Sequence, residues 1–158
     1  MKIRVGFGYD VHRLVQGHEL WLGGVRINSP FGLQGHSDAD VLIHAICDAL
    51  LGAANMRDIG FHFPDKDAEY KDIDSKILLK KTVELIREAG YSIENIDCII
   101  CAEQPKLNPH ITSMQAVLAL VMGISTDDIS IKATTSEKLG FVGTEEGMAA
   151  YAVVLISK

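Results

Sequence analysis

The 158 residues of this chain suit one domain better than two. Hydrophobic residues make up 47% and charged residues 23%. A chain of this size buries roughly 70% of the surface its unfolded form exposes. Wholesale disorder, collagen and a disulfide-held miniprotein are therefore excluded. The net charge of −6 argues against nucleic acid as a partner, because a phosphate backbone calls for a basic face. It leaves room for a small phosphorylated substrate whose charge a local metal offsets. No apolar run is long enough to span a membrane. Met1 to Gly6 lead straight into strand-like alternation, without the features of a signal or transit peptide, so a cytoplasmic protein is expected. Cys47, Cys98 and Cys101 lie in apolar runs, as reduced buried thiols do.

Residues 3–12 alternate, with Val5, Phe7, Tyr9 and Val11 on one face and Gly6, Gly8, Asp10 and His12 on the other, which predicts a strand. Leu20 to Asn28 reads as a second strand broken by a bulge or turn at Gly23-Gly24. Ser37 is the expected N-cap of a helix that has Asp38 and Asp40 in its first turn and ends near Gly52. Residues 61–72 are polar and aperiodic, and read as a loop. Asp74 opens a second helix with an apolar stripe of Leu78, Leu79, Val83, Ile86 and Ala89, closed by Gly90. Ile96 to Ala102 predicts a central strand. Asn108 and Pro109 start a third helix as N-cap and N1, and Gly123 ends it. Two further strands follow, over 129–134 and 149–156. The order β-β-α-α-β-α-β-β predicts a single α+β two-layer domain over 1–158, with a mixed sheet carrying helices on one face.

Three clusters carry chemical potential. Asp10 and His12, at i and i+2 of a strand, share a face. With His44, one turn beyond Asp40 on the first helix, they form a three-ligand set for zinc that leaves a fourth position open; on spacing alone an ordinary surface pair competes with this reading. His36-Ser37-Asp38-Ala39-Asp40 opens the helix, where free amides and the dipole attract phosphate, or serves simply as a cap. Lys132 to Phe141 leaves a strand into a hydroxyl-rich loop with a single carboxylate, Glu137. Such a loop suits Mg²⁺ only when phosphate completes the coordination sphere, and by itself reads as a solvated turn. Cys98-Ile99-Ile100-Cys101 places its thiols on opposite strand faces, against a metal or redox role. Gly6-Phe7-Gly8 lacks the third glycine and following helix of a dinucleotide site. Trp21 and the methionines read as packing, and His18 and His110 as surface or capping residues; the role of His62 stays open.

Gly8-Tyr9-Asp10-Val11-His12, Ser37 to Ala54, Asp58-Ile59-Gly60, Pro105 to His110 and Lys132 to Phe141, taken in this order and nearly end to end, resemble the 2-C-methyl-D-erythritol 2,4-cyclodiphosphate synthase family. The resemblance implies a cyclising, CMP-releasing phosphorus–oxygen lyase of non-mevalonate isoprenoid biosynthesis. Its substrate would be 4-diphosphocytidyl-2-C-methyl-D-erythritol 2-phosphate. It also implies zinc, one ion per subunit, on Asp10, His12 and His44, and Mg²⁺ or Mn²⁺ on Glu137, bound with substrate. By the same resemblance His36 and Thr135 steady the transition state, while His36 and Ser37 hold substrate phosphate. Asp58, Ile59 and Gly60 would take the erythritol hydroxyls, with Phe63, Pro64, Asp65, Lys66 and Asp67 beside them. Ala102, Glu103, Gln104, Pro105, Lys106, Leu107 and Asn108, together with Ala133, Thr134, Ser136 and Phe141, would form the cytidine and diphosphate side. The family is a homotrimer whose sites lie between subunits, with no nucleic-acid or membrane partner. One departure is Thr144, where the family commonly carries an arginine that helps close an axial cavity. A zinc-dependent phosphohydrolase using the same three ligands is the alternative enzyme. A non-enzymatic scaffold is opposed by the carboxylates and histidines gathered around an open site.

Overall fold

A computed structural model describes residues 1–158. Fourteen residues form the first strand, β1 (Ile3–Gln16), longer at its C-terminal end than the alternation suggests. β2 (Leu20–Leu22) and β3 (Val25–Ile27) make a separate hairpin over Gly23-Gly24, both in the left-handed region, so one expected interrupted strand is two. β4 (Phe31–Gln34) was not foreseen; it pairs with the far end of β1. Next come α1 (Val41–Ala53), the one-turn α2 (Ile59–His62), α3 (Ser75–Glu88), β5 (Ser92–Cys101), α4 (Ile111–Met122), β6 (Ile129–Thr134), the short α5 (Gly140–Gly143) and β7 (Gly147–Ser157). The sheet order is β4-β1-β7-β5-β6, antiparallel except for the β5–β6 pair. This is the expected α+β arrangement with a mixed sheet.

α1 is apolar nearly all round and is correspondingly buried, as such a helix must be. Only His44, Asp48 and Gly52 escape burial, and their spacing of four puts them on one stripe. The helix lies on β1 and β7 at backbone contact. A Cβ on Gly8 would stand 1.9 Å from the Ala45 carbonyl oxygen, and one on Gly6 equally close to that of Ala49. The two glycines are the groove in which the helix rests. One continuous core of 34 buried residues joins α1, α3, α4 and the inner sheet face. On the opposite sheet face Val5, Phe7, Tyr9, Val11, Tyr151 and Val153 are exposed, with the Tyr9 and Tyr151 rings 5.0 Å apart.

Two expectations about helix starts need correction. The N-cap of α1 is Asp40, whose carboxylate accepts from the Ile43 amide; Ser37 lies in the preceding turn, and no acid occupies the first turn. Asp40 wins because it is wholly buried and also accepts from the Gly23 and Gly24 amides at 2.9 and 2.7 Å, which ties the hairpin to the helix. Asn108 and Pro109 form a 3₁₀ turn, with no side-chain cap, that runs into α4; Gly123 ends the helix in the left-handed conformation as expected. The stretch 61–72, read as a loop, includes the end of α2 and a 3₁₀ turn at Ala68–Tyr70. Each turn is capped by an aspartate, Asp58 or Asp67, and is too short to show periodicity.

Candidate active site

Asp10 and His12 reach the helix-bearing face of β1 just past the glycine groove, and His44 reaches them from the open stripe of α1. One oxygen of Asp10 lies 2.8 Å from His12 Nε2 and 3.1 Å from His44 Nδ1, and the two nitrogens are 3.1 Å apart. A tetrahedral ion with bonds of roughly 2.0–2.1 Å sets its donors ~3.3 Å apart, so the triangle fits a divalent metal. The outer ring atoms support this. His12 Nδ1 donates to the Gln34 carbonyl at 2.9 Å, an acceptor only, which leaves Nε2 with its lone pair turned inward. Burial raises the Asp10 carboxyl pKa, but hydrogen bonds and charge from His12 and His44 outweigh it and hold the group at about 2. Burial lowers that of His12, and the Asp10 hydrogen bond and charge outweigh it in turn, so the imidazole sits above its ordinary range.

The triangle forms one wall of a cavity of about 270 Å³. His36, Ser37, Ile59, Gly60, Phe63 and Asp65 line the same cavity, so two separated sequence segments converge on the triangle. Asp48, one turn beyond His44, accepts from the Ile59 amide at 2.7 Å and so pins α2 beside the cavity. Asp58 caps α2 through the Phe61 amide. His62 donates to the Met56 carbonyl at 2.7 Å and lies outside this cavity's lining.

A second cavity, about 350 Å³, lies between the β5–α4 connection and the end of β6. Ala102, Glu103, Pro105, Lys106, Leu107, Asn108, Ala133, Thr134 and Thr135 line it. It shares no lining residue with the first. Pro64, Lys66, Asp67, Gln104, Ser136, Glu137 and Phe141 line neither cavity. Glu103 has a role that spacing did not suggest. Its carboxylate accepts from the Ser136 amide and hydroxyl, at 2.9 and 3.2 Å, tying the Ala102–Asn108 segment to the loop that carries Glu137. Glu137 and Lys138 both adopt positive φ, and Thr135 donates to the Glu137 carboxylate at 3.4 Å. Thr144 donates to Glu146 at 2.6 Å. Burial pushes the Cys47 and Cys98 thiols up to about 12.

Sequence reasoning missed three contributors: Ser75, Asp48 and the Gln34 carbonyl. Ser75 resembled any residue at a helix start. Asp48 carried a signal, since it is the one charge on an otherwise apolar helix, four residues from a histidine. Gln34 acts through its backbone and leaves no trace in the sequence.

Comparison with known proteins agrees with this geometry. A 2-C-methyl-D-erythritol 2,4-cyclodiphosphate synthase of Bacteroides fragilis is 73% identical over 158 residues, covering 100% of this chain and 99% of the relative. The solved structure of a 2C-methyl-D-erythritol-2,4-cyclodiphosphate synthase in a CDP-bound form superposes with a TM-score of 0.90 at 36% identity, covering 98% of this chain and 100% of that one. The bifunctional IspDF of Campylobacter jejuni superposes at 0.95 with 42% identity; there 98% of this chain matches 42% of the longer one. The YgbB family model matches residues 3–157, and with fold, ligand triangle and relatives in agreement, the chain belongs to the YgbB family of 2-C-methyl-D-erythritol 2,4-cyclodiphosphate synthases.

Proposed function

We propose that this chain converts 4-diphosphocytidyl-2-C-methyl-D-erythritol 2-phosphate into 2-C-methyl-D-erythritol 2,4-cyclodiphosphate and CMP, as a phosphorus–oxygen lyase of the non-mevalonate pathway. The observation that carries the reading is the Asp10–His12–His44 triangle opening on a cavity lined by His36, Ser37 and Gly60. Asp10, His12 and His44 would hold Zn²⁺, and Glu137 would hold Mg²⁺ or Mn²⁺ together with substrate. When bound, these cations offset the charge of the diphosphate and make its β-phosphorus a better electrophile.

An oxygen of the 2-phosphate attacks the β-phosphorus, the bond to the CMP oxygen breaks, and the electron pair leaves with CMP. A phosphate monoester has a second pKa near ~6, so the attacking oxygen needs no strong base. No Cys or Lys lines the cavity to serve as a protein nucleophile. What remains is positioning for in-line displacement. Ser37 and His36 hold substrate phosphate, with the His36 ring turned toward the Asp67 carbonyl. The α2 start, Asp58 to Gly60, binds the erythritol hydroxyls while Asp48 keeps it in place. Phe63 to Asp67 flank the same end of the substrate. Ala102 to Asn108, with Ala133, Thr134, Ser136 and Phe141, hold the cytidine and its diphosphate, and Thr135 joins His36 on the developing charge.

The unit of function is a homotrimer with each site between two subunits. Two features support this. The metal cavity and the Ala102–Asn108 cavity share no lining residue within one chain. The apolar sheet face of Val5, Phe7, Tyr9 and Tyr151 is of the kind that assembly covers. Phosphorus NMR of the protein with the cytidyl substrate tests the reading. CMP and a cyclic diphosphate are the expected products; inorganic phosphate or a linear product would instead establish a zinc phosphohydrolase.

A further inference from the structure

Nothing in the ligand triangle itself decides which nitrogen of His44 is free to bind a metal. That decision lies one side chain further out. His44 turns Nδ1 toward Asp10 and His12, and Nε2 toward two hydroxyls, Ser75 Oγ at 3.0 Å and Ser37 Oγ at 3.1 Å. Ser75 is the first residue of α3 and is wholly buried. Its hydroxyl donates to Asp38 Oδ1, and its amide donates to Asp38 Oδ2 at 2.9 Å. Asp38 is fixed in turn, accepting from the Asp40 amide at 3.1 Å and donating its own amide to the Ile73 carbonyl.

Ser75 constrains the hydrogen on Nε2 of His44. A carboxylate only accepts, and a serine hydroxyl has one hydrogen. The hydrogen of Ser75 is spent on Asp38, so only its lone pairs face His44. Toward Ser75, Nε2 of His44 can only donate; the Asp10 carboxylate, 3.1 Å from Nδ1, draws the ring hydrogen the other way until a cation takes that place. We propose that Ser75, oriented by Asp38, is a positioning residue that fixes the His44 tautomer required for metal binding. The inference rests on the reading of Asp10, His12 and His44 as the metal site. It also separates the roles of two serines that approach the same nitrogen. Ser75 is held from behind by Asp38, whereas Ser37 accepts from the Ala39 amide at 3.2 Å and lines the cavity.

The test uses zinc-loaded full-length protein in competition with a chelating dye. Loss of an outer partner of a metal-bound histidine weakens metal affinity by about 10–100-fold, and Ser75→Ala is expected to show a loss of that size. Asp38→Asn keeps the shape but can turn an amide hydrogen toward Ser75, freeing the serine hydrogen for His44 and favouring the wrong tautomer; it is expected to weaken zinc equally. The cobalt-substituted variants should show altered d–d absorption, which a distant packing defect would not produce. Nitrogen-15 NMR of the metal-free proteins at pH 8.5 should show a larger Nε2–H fraction for His44 in the wild type than in Ser75→Ala. An equal Nε2–H fraction in the two proteins, or zinc affinity in Ser75→Ala within twofold of wild type, overturns the proposal. A wild type that binds no zinc overturns the metal-site reading instead, so the two failures are distinguishable.

Discussion

His12 Nε2 and His44 Nδ1 lie 3.1 Å apart, and both approach the same oxygen of Asp10. Two lone pairs and a carboxylate oxygen at that spacing repel one another unless a proton or a cation sits among them. Burial opposes a charge on His12 and Asp10 more than compensates, so the affinity of His12 for such a proton is raised. Metal binding requires the neutral imidazole, so the ion must displace that proton. Zinc added to metal-free protein at pH 7 in weak buffer is therefore expected to release protons, and zinc affinity to fall as the pH drops through a His12 pKa above its ordinary 6.5. An indicator dye reads the release; binding with no proton liberated would contradict the geometry.

The glycine groove gives a stability prediction. A methyl on Gly8 would meet backbone rather than a movable side chain, 1.9 Å from the Ala45 oxygen. Gly8→Ala is expected to cost ~3 kcal/mol or more and to weaken zinc binding, because Asp10 follows two residues later. Gly52, on the exposed stripe of α1, has nothing within 4 Å of its virtual Cβ. There Gly→Ala should stabilise by about 0.5–1 kcal/mol. Denaturant melts of the two variants should move in opposite directions.

The proposed trimer predicts complementation. His12→Ala removes a metal ligand and Thr134→Tyr blocks the second cavity; each alone should be inactive. When subunits exchange at equal amounts in a ring of three, about a quarter of the interfaces pair an intact metal side with an intact nucleotide side. Activity should recover to roughly that fraction of wild type. Recovery of none, with exchange verified by mass spectrometry, would mean that each site is contained in one chain.

Glu137 predicts a dependence on the second cation. A single carboxylate binds Mg²⁺ weakly until substrate phosphate adds oxygens. Glu137→Gln should leave zinc content unchanged and reduce turnover 10²- to 10³-fold, equivalent to roughly 3–4 kcal/mol of transition-state stabilisation. Excess Mg²⁺ should restore part of the loss. Normal turnover at limiting Mg²⁺ would leave Glu137 without this role.

What was legible in the sequence follows the range of the forces involved. The shared face of Asp10 and His12 is a local consequence of strand pleat, and it held. Their meeting with His44 was not local; it depends on Gly6 and Gly8 accepting α1, visible in the sequence only as two missing side chains. The α1 cap went to Asp40 rather than Ser37 because the Gly23 and Gly24 amides, distant in sequence, needed the same carboxylate. The short turns at Ile59–His62 and Ala68–Tyr70 are held by single aspartates and lack the length for a repeat. Ser75 was invisible because its role comes from partners on two other segments, Asp38 and His44.

The contact of β1 with α1 at Gly6 and Gly8 also sets a rule for transplanting this centre. With no side chain between strand and helix, the reach from Asp10 to His44 is fixed by backbone atoms touching, a distance that repacking a core cannot adjust. A designer grafting an Asp-x-His strand and a helical histidine onto another scaffold would have to copy the two glycines before copying the ligands. Any host whose helix rides on leucines or valines would hold the three donors several ångströms too far apart, however faithfully they were chosen.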